Sequence, residues 1–562
     1  MPSRVFPLSV VALVPLLFCE SHALVATQQW SQRPLSTSAS SRAHTFHPLS
    51  AAIQMSDTAV ATPNSFDTAD ASMMSSPSAL GHAAILGVGT AAMGTAYARC
   101  LKTSVSTVWT SLPTAGALRA LVAADPSLFI PFACTLGGLI VGLVNVNMQG
   151  YTMPELIRQQ QSSDDAPGGA SPAKFIPPVL LLSLLTSTFG FSVGPEAPMV
   201  VAGSLVGSAY GKRVFGESSH RLRRTFAYAG AAGALTTFIG MPLAGAIFVL
   251  EITRASSGLN PEAYYALTPA VVASCASMVF AKAIFAPTAS IGGHFAYDAI
   301  GGALTGKWLG GIALSAGVGG AALGRVFIAL VNRLKRPMWP QAPLPESCEV
   351  DKSFWSSLTS KCGPKTRHVL VKTTVGLLVG LLSMRFPQTL FWGEGSLQHV
   401  LDAAATPLQN VWPGLATSLT AKAAVDVTAP FAASGALAGL KIGAAKILAI
   451  ALACAGGFPG GIIFPLFFAA AAVAHGVTAS LAGLVALPAA LTPVWVMSLM
   501  AATQASVTRT PMATVFMLGL SAAASAELSV LLPPVIIASY VGVWAARLLW
   551  PGVTFFPYTR AD

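Results

Sequence analysis

The chain has 562 residues, of which 53% are hydrophobic and only 9% charged. Ordinary soluble domains carry about 25% charged residues, so this composition excludes a soluble protein and indicates a membrane protein. The net charge of +11 is spread over tails and loops, and without a basic, aromatic-rich domain it does not predict a nucleic-acid partner.

The first 80 residues differ in composition from the rest. Arg4 precedes the apolar run "PLSVVALVPLLF" and the small-residue segment "CESHALVA", which is the order of a secretory signal peptide. The next residues are rich in Ser, Thr, Ala and Arg and lack acids between Glu20 and Asp57, as transit peptides do. The combination resembles the bipartite presequence of algae with complex plastids. We expect residues 1–80 to be a targeting presequence and disordered tail outside the fold, and the protein to lie in a plastid membrane, thylakoid or envelope. A plain secretory signal and an endomembrane location are the alternative.

Apolar windows of about twenty residues, the length that crosses a bilayer, recur along the rest of the chain. They predict an all-α polytopic membrane protein. The basic loop "GKRVFGESSHRLRR" between two windows is expected to face the cytoplasm or stroma. The clearest windows are 128–147, 173–192, 225–250, 264–285, 308–332, 369–384, 436–455 and 530–550.

Glycine and proline break several apolar segments, and the breaks recur in the same order in two halves. The stretch 229–253 resembles 499–521, and a break at 194–198 precedes the first as a break at 456–465 precedes the second. Paired breaks of this kind are typical of inverted repeats with a binding site near the membrane midplane. The predicted organisation is a first half at 82–335, a polar connection at 336–367, a second half at 368–552 and a short tail at 553–562.

One carboxylate, Glu196, stands in such a break, in "GFSVGPEAPMVVAG", between Pro195 and Pro198 and with no other charge nearby. The first N–H groups of a helix lack intrahelical partners and carry about half a positive charge, so a helix end can bind an anion. A carboxylate at this end can occupy the anion site and block it. A helix-capping glutamate without a transport role is the alternative.

Three stretches resemble the signature motifs of the CLC family of chloride channels and proton/chloride exchangers. They are Gly-Tyr-Thr-Met-Pro at 150–154, Gly-Pro-Glu-Ala-Pro at 194–198 and Gly-Ile-Ile-Phe-Pro at 461–465. The resemblance covers about residues 85–552 and implies a CLC-like fold in which two inverted halves meet at a central anion site. It also implies a homodimer in lipid with one pore per subunit, chloride or another small anion as the ligand, and no cofactor or metal. The residues it assigns are Glu196 for gating, and Tyr151, Thr152, Gly194, Pro195, Ala197, Gly461, Ile462, Ile463 and Phe464 for anion binding.

The chain departs from the family's pattern in these motifs. Tyr151 stands where the family has an anion-contacting serine that tunes chloride against nitrate, and Ile463 stands where it has a phenylalanine whose N–H faces the ion. In exchangers a second acid follows the equivalent of Glu251, but here Ile252 follows. The family's central tyrosine has no counterpart, and we assign its region to Leu528 or a neighbour. Regulatory CBS domains are not expected after the membrane region.

We therefore expect a voltage-gated chloride channel in which Glu196 is the gate. Proton-coupled exchange of chloride or nitrate is the alternative, and a non-conducting membrane scaffold is a third possibility. For Glu251, a proton relay and a plain acid at a helix end are equally open interpretations.

No enzyme class is indicated by the sequence. It contains no HExxH or P-loop pattern, and its one GxSxG match, at residues 190–194, is not accompanied by a recognisable nucleophile–base or metal set. Cys348 and Cys362 share the polar connection, where a disulfide is possible but two free thiols are favoured. Lys441 and Lys446 are expected to pair at a helix end or between helices rather than face a polar interior.

Overall fold

Helices joined by short turns make up almost all of the described chain. The structure, a computed structural model, describes residues 76–116, 118–119, 125–148, 150–161, 172–216, 220–253, 261–285, 306–339, 363–401, 436–482, 491–522 and 527–556. Within these ranges the β-structure consists of an isolated antiparallel bridge between Gly194 and Gly461. The α-helices are α1 (Pro77–Ser106), α2 (Phe129–Asn147), α3 (Met153–Gln161), α4 (Ile176–Thr188), α5 (Glu196–Phe215), α6 (His220–Ile239), α7 (Pro242–Ile252), α8 (Pro261–Phe285), α9 (Gly306–Met338), α10 (Pro364–Arg385), α11 (Glu394–Leu401), α12 (Ala436–Ala455), α13 (Ile463–Ala482), α14 (Leu491–Thr508), α15 (Pro511–Ala522) and α16 (Leu528–Leu549).

Eight helical segments in the described ranges are long and apolar enough to cross a membrane, and they correspond to α1, α2, α8, α9, α10, α12, α13 and α16. The prediction of an all-α polytopic membrane protein is confirmed. Each predicted window coincides with a helix except 173–192, which runs past the end of α4 at Thr188, and 225–250, which is divided between α6 and α7. The division follows from Gly240, whose φ is +69°, and from Pro242, which lacks an N–H and begins the new helix.

The first helix begins earlier than the sequence suggested. Helix α1 starts at Pro77, and the hydroxyl of Ser76 accepts a hydrogen bond from the N–H of Ala79 at 3.2 Å. Serine before proline at the first helical position is a favourable start signal. The expectation that all of residues 1–80 lie outside the fold is therefore wrong for the last few of them, while residues 1–75 lie outside the described residues.

The polar connection between the halves is also shorter than predicted. Helix α9 continues to Met338 and α10 begins at Pro364, inside the range 336–367. The question of a bond between Cys348 and Cys362 falls outside the described residues.

The predicted repeat is present in the backbone. Helices α4 and α12 are each followed by a glycine in the left-handed region, Gly190 with φ +81° and Gly457 with φ +70°. Four residues after each of these stand Gly194 and Gly461, which form the bridge, and α5 and α13 begin two residues later. The two breaks thus have the same spacing and the same conformation.

The second pair of breaks repeats in the same way. Left-handed residues, Gly240 at φ +69° and Arg509 at φ +59°, separate α6 from α7 and α14 from α15. Pro242 and Pro511 then occupy the first position of the short helices. The similarity of 229–253 to 499–521 is therefore confirmed as a repeated helix–break–helix unit.

Helices α2 and α10 pack face to face through glycines in reciprocal positions. A Cβ on Gly138 would overlap the carbonyl oxygen of Lys372, and a Cβ on Gly376 would overlap the carbonyl oxygen of Cys134. The pattern continues one turn further along each helix, as in small-xxx-small packing in membranes. Cys134 and Lys372 consequently occupy equivalent positions in the two halves.

Candidate functional site

The two halves meet at a pair of backbone hydrogen bonds. Gly194 N–H donates to Gly461 O at 2.8 Å, and Gly461 N–H donates to Gly194 O at 2.5 Å. Two residues beyond this bridge, α5 begins at Glu196 and α13 at Ile463. Two helix N-termini, each with partial positive charge, therefore start next to one point, which is an arrangement that favours an anion.

Glu196 places its carboxylate against this bridge. The side chain is 1% exposed, and neither carboxylate oxygen has a hydrogen-bond partner in the described part of the chain. A Cβ on either Gly194 or Gly461 would overlap Oε2 of Glu196, so both positions must be glycine for the carboxylate to lie there. A capping glutamate accepts hydrogen bonds from helix N–H groups, and this one accepts none.

A cavity of about 420 Å³ brings the three motifs together. The first motif contributes residues 150–154, the second contributes Ala197 and Pro198, and the third contributes residues 461–463. The side chain of Glu196 lies beside this wall, next to Ala197. Further wall residues are Asn145, Phe248, Ile252, Asn332, Lys335, Gly457, Phe458, Thr508, Phe555 and Phe556.

The first motif presents its polar groups differently from the expectation. The N–H and hydroxyl of Thr152 both donate to Oε2 of Glu155, at 2.6 and 2.9 Å. The bond from the Thr152 N–H is the glutamate half of a capping box at the start of α3. Both donors of Thr152, which the sequence predicted to bind an anion, are therefore directed at the carboxylate of Glu155.

Tyr151 likewise has a partner for its hydroxyl. The O–H donates to Oε1 of Gln159 at 2.5 Å, and the ring packs on Phe175 with 5.5 Å between centroids. Tyr151 lines the cavity as predicted, but its one hydroxyl proton is donated to a side chain of α3. The ring narrows the cavity, and the hydroxyl is not offered to an anion.

Glu251 connects the halves. Its Oε1 accepts from the N–H of Met512 at 3.1 Å, and its Oε2 accepts from the N–H of Ala513 at 2.8 Å. The carboxylate, 8% exposed, therefore caps the N-terminus of α15 in the other half. Its neighbour Ile252 lies on the cavity wall.

The C-terminal segment was misjudged from the sequence. Phe555 and Phe556, which lie in the predicted tail at 553–562, line the cavity. Leu528, which with its neighbours was assigned to the region of the missing tyrosine, begins α16 and is not among the residues that line the cavity. The aromatic pair after the break at Pro551 and Gly552 was the available signal, since two adjacent phenylalanines are rarely exposed.

Two lysines are buried among carbonyl groups. Lys446 Nζ donates to the carbonyl oxygens of residues 389, 390 and 391 at 3.2, 3.5 and 2.7 Å, which lie in the connection between α10 and α11. Lys372 Nζ donates to Gly456 O at 3.3 Å and to Gly457 O at 2.5 Å. Lys372 was missed because a single lysine in an apolar window gives no sign of its partner.

Known proteins resemble this chain along most of its length. A family model described as voltage gated chloride channel matches residues 129–547. The chain belongs to this family. Its members are channels and transporters, and membership of the family supports anion transport across a membrane. Curated relatives include "Putative ion-transport protein YfeO" of Shigella boydii serotype 18 and of Escherichia coli strain SE11, each 23% identical over 368 residues, with 65% of this chain and 71% of the relative covered.

Solved structures of the family have the same fold. A slow cyanobacterial Cl⁻/H⁺ antiporter matches with a TM-score of 0.63 at 16% identity, covering 85% of this chain and 96% of that one. A CLC-type fluoride/proton antiporter matches with a TM-score of 0.56 at 19% identity, covering 85% and 97%. A eukaryotic CLC transporter matches with a TM-score of 0.58 at 14% identity, covering 84% and 71%. The predicted CLC-like fold is confirmed.

Proposed function

We propose that the protein is a chloride channel gated by Glu196. The observation that carries this proposal is the carboxylate without a hydrogen-bond partner, held against Gly194 and Gly461 where α5 and α13 begin. An anion attracted to these helix ends has to compete with that carboxylate for the same place. Protonation removes the charge that holds the side chain there, and chloride can displace it, so either event lets it swing out and opens the path.

Glu251 supports passive conduction over proton coupling. In the family's exchangers a second, proton-accepting acid follows the equivalent of Glu251. Here the carboxylate of Glu251 is occupied by two N–H groups of α15, and the adjacent wall residue, Ile252, carries no proton to exchange.

Proton-coupled exchange of chloride or nitrate remains the second candidate. It is favoured by the descriptions of two similar structures as Cl⁻/H⁺ and fluoride/proton antiporters. A non-conducting scaffold is the third.

The test is anion efflux from liposomes that contain the purified protein, measured over a range of external pH. Native flux should rise as pH falls, because protonation releases the gate. In Glu196→Gln, which keeps the size and removes the charge, flux should be nearly independent of pH. Glu251→Gln is the matched control, since it also neutralises a buried carboxylate at a helix end but should keep the native pH dependence.

Three outcomes would overturn parts of this proposal. A folded Glu196→Gln protein whose flux follows pH like the native protein would remove Glu196 as the gate. Uphill proton movement driven by a chloride gradient would replace the channel by an exchanger. If the native protein shows no anion flux, the non-conducting scaffold is the remaining candidate function.

We further propose a homodimer with one pore per subunit in a plastid membrane. The support for the location is the signal-peptide order followed by an acid-free segment rich in Ser, Thr and Arg. Residues 1–60 fused to a fluorescent protein should reach a plastid, and accumulation in the endoplasmic reticulum or outside the cell would contradict this. The mass of the detergent-solubilised protein tests the dimer.

A further inference from the structure

The helices that end beside the bridge, α4 and α12, are capped alike at one carbonyl. Trp109 Nε1–H donates to Thr188 O at 2.7 Å, and Trp339 Nε1–H donates to Ala455 O at 2.8 Å. Each acceptor stands two residues before the left-handed glycine of its half. An indole thus fills the same role in both halves of the repeat.

The next two carbonyls are capped differently in the two halves. In the first half, Phe189 O accepts from the thiol of Cys134 at 3.4 Å, and Gly190 O accepts from a backbone N–H at 3.0 Å. In the second half, Gly456 O and Gly457 O both accept from Lys372 Nζ. Cys134 and Lys372 are the equivalent positions defined by the reciprocal packing of α2 and α10. A neutral thiol in one half is therefore matched by an ammonium in the other.

The ammonium of Lys372 lies directly behind the cavity wall. Gly457 and Phe458 both line the cavity. Gly457 supplies the acceptor oxygen, and the Phe458 ring centre lies 4.7 Å from Nζ. Lys372 itself is 1% exposed and is not on the wall.

A charge at this place is not required to cap a helix. Removing an ammonium from water inside a membrane protein is costly, and Cys134 provides a neutral cap at the equivalent place. The position of the cavity suggests a role for the charge of Lys372. The C-terminal carbonyls of α12 carry partial negative charge, and one of the residues whose carbonyl Lys372 caps, Gly457, lines the cavity. Uncompensated, this negative end would repel an anion in the cavity.

We propose that Lys372 is an electrostatic positioning residue for the transported anion. Its ammonium cancels the negative end of α12 and adds a positive charge behind the wall, without contact with the ion. The inference rests on the anion transport proposed above and adds the residue that makes the cavity favourable to anions.

The experiment compares a neutral variant with a charged one. Lys372→Cys copies the cap that the first half uses, whereas Lys372→Arg keeps the charge. Lys446→Met is the matched control, because Lys446 is equally buried and caps carbonyls that are not on the cavity wall. Half-saturating chloride and maximal flux are measured in liposomes, and chloride binding is measured by calorimetry in detergent.

Lys372→Cys should raise both the half-saturating chloride concentration and the chloride dissociation constant about tenfold. This is the change expected when a unit charge roughly 10 Å from an anion is removed, at an effective dielectric constant of about 20. Lys372→Arg and Lys446→Met should stay near the native values. A purely structural role would lower stability and leave the half-saturating concentration unchanged.

Each other outcome decides against a distinct claim. Native transport together with unchanged chloride affinity in Lys372→Cys would overturn the role of Lys372 and leave the proposed function intact. If the native protein shows neither anion flux nor chloride binding, the role of Lys372 and the proposed function are both overturned. If Lys372→Cys does not fold, Lys372→Gln takes its place. Failure of both neutral variants to fold, with Lys372→Arg folded, would assign the charge to folding and overturn the inference.

Discussion

A single methyl group at Gly194 should open the pathway without changing the charge of Glu196. A Cβ at this position would lie 2.5 Å from Oε1 and 2.6 Å from Cδ of Glu196, and closer still to Oε2. Non-bonded heavy atoms prefer separations of about 3.5 Å, so the carboxylate would have to retreat by about 1 Å. The three nearest atoms all belong to the end of this flexible side chain, so the backbone can stay in place.

The expected size of the effect follows from this overlap. Each 1.4 kcal/mol of repulsion lowers the occupancy of the blocking position about tenfold, so an overlap that costs about 3 kcal/mol lowers it roughly a hundredfold. Flux of Gly194→Ala at neutral pH should therefore approach that of Glu196→Gln, and its pH dependence should disappear. Small-to-large changes in a packed interior cost about 1–3 kcal/mol of the free energy of unfolding, so the variant should remain folded.

Chloride efflux from liposomes is the assay, applied to Gly194→Ala, Glu196→Ala and the double variant. When no carboxylate is present to displace, the alanine at position 194 should add nothing. Gly310→Ala is the matched control, because no atom lies within 4 Å of a Cβ there. The reasoning is refuted if folded Gly194→Ala keeps native flux and pH dependence, or if the alanine changes flux equally with and without the carboxylate.

Three further predictions concern the walls of the cavity and the contact between the halves. Tyr151→Ser should raise flux or shift the preference between chloride and nitrate, because it removes a ring from the cavity wall. Tyr151→Phe, which loses only the bond to Gln159, should leave flux and ion preference unchanged. If the two variants have equal effects, the hydroxyl and not the ring is responsible. Lys335→Gln should reduce chloride flux at low ionic strength and have little effect at high salt, where surface charges are screened. Arg333, on the same turn, does not line the cavity. An equal loss of flux in Arg333→Gln would show that the effect does not depend on the position of Lys335 at the cavity. Glu251→Gln should lower the free energy of unfolding by about 0.5–2 kcal/mol, as expected for a lost cap, and a melting temperature equal to the native one would show that the contact with α15 contributes nothing.

The helices and their breaks could be predicted because their causes are local. An apolar window of sufficient length, a glycine that can adopt positive φ and a proline that begins a helix are all visible in the sequence. Gly190 and Gly457 therefore mark the breaks before Gly194 and Gly461. Because these signals occur in the same order in two halves, the sequence predicted that the halves meet at one central site. The structure places residues of all three motifs on the wall of one cavity.

The partners of the polar groups could not be predicted, because they depend on packing between distant parts of the chain. The acceptors of Lys372 follow more than eighty residues later, at Gly456 and Gly457. A plain acid at a helix end was one of two open interpretations of Glu251, and the helix end that its carboxylate contacts belongs to α15 of the other half. Thr152 shows the limit even locally, since the sequence could not decide whether its donors face an anion or Glu155.

The bridge between Gly194 and Gly461 makes the centre of the protein mechanically stiff. In the hydrocarbon region each unsatisfied backbone group costs several kcal/mol, so drawing α5 away from α13 would expose two donors and two acceptors at once. A gate that opens by rotation of one side chain leaves the helices and the cross-sectional area of the protein unchanged. Membrane tension does work only through a change of area, so stretching the bilayer or altering its lipid chain length should hardly affect conduction.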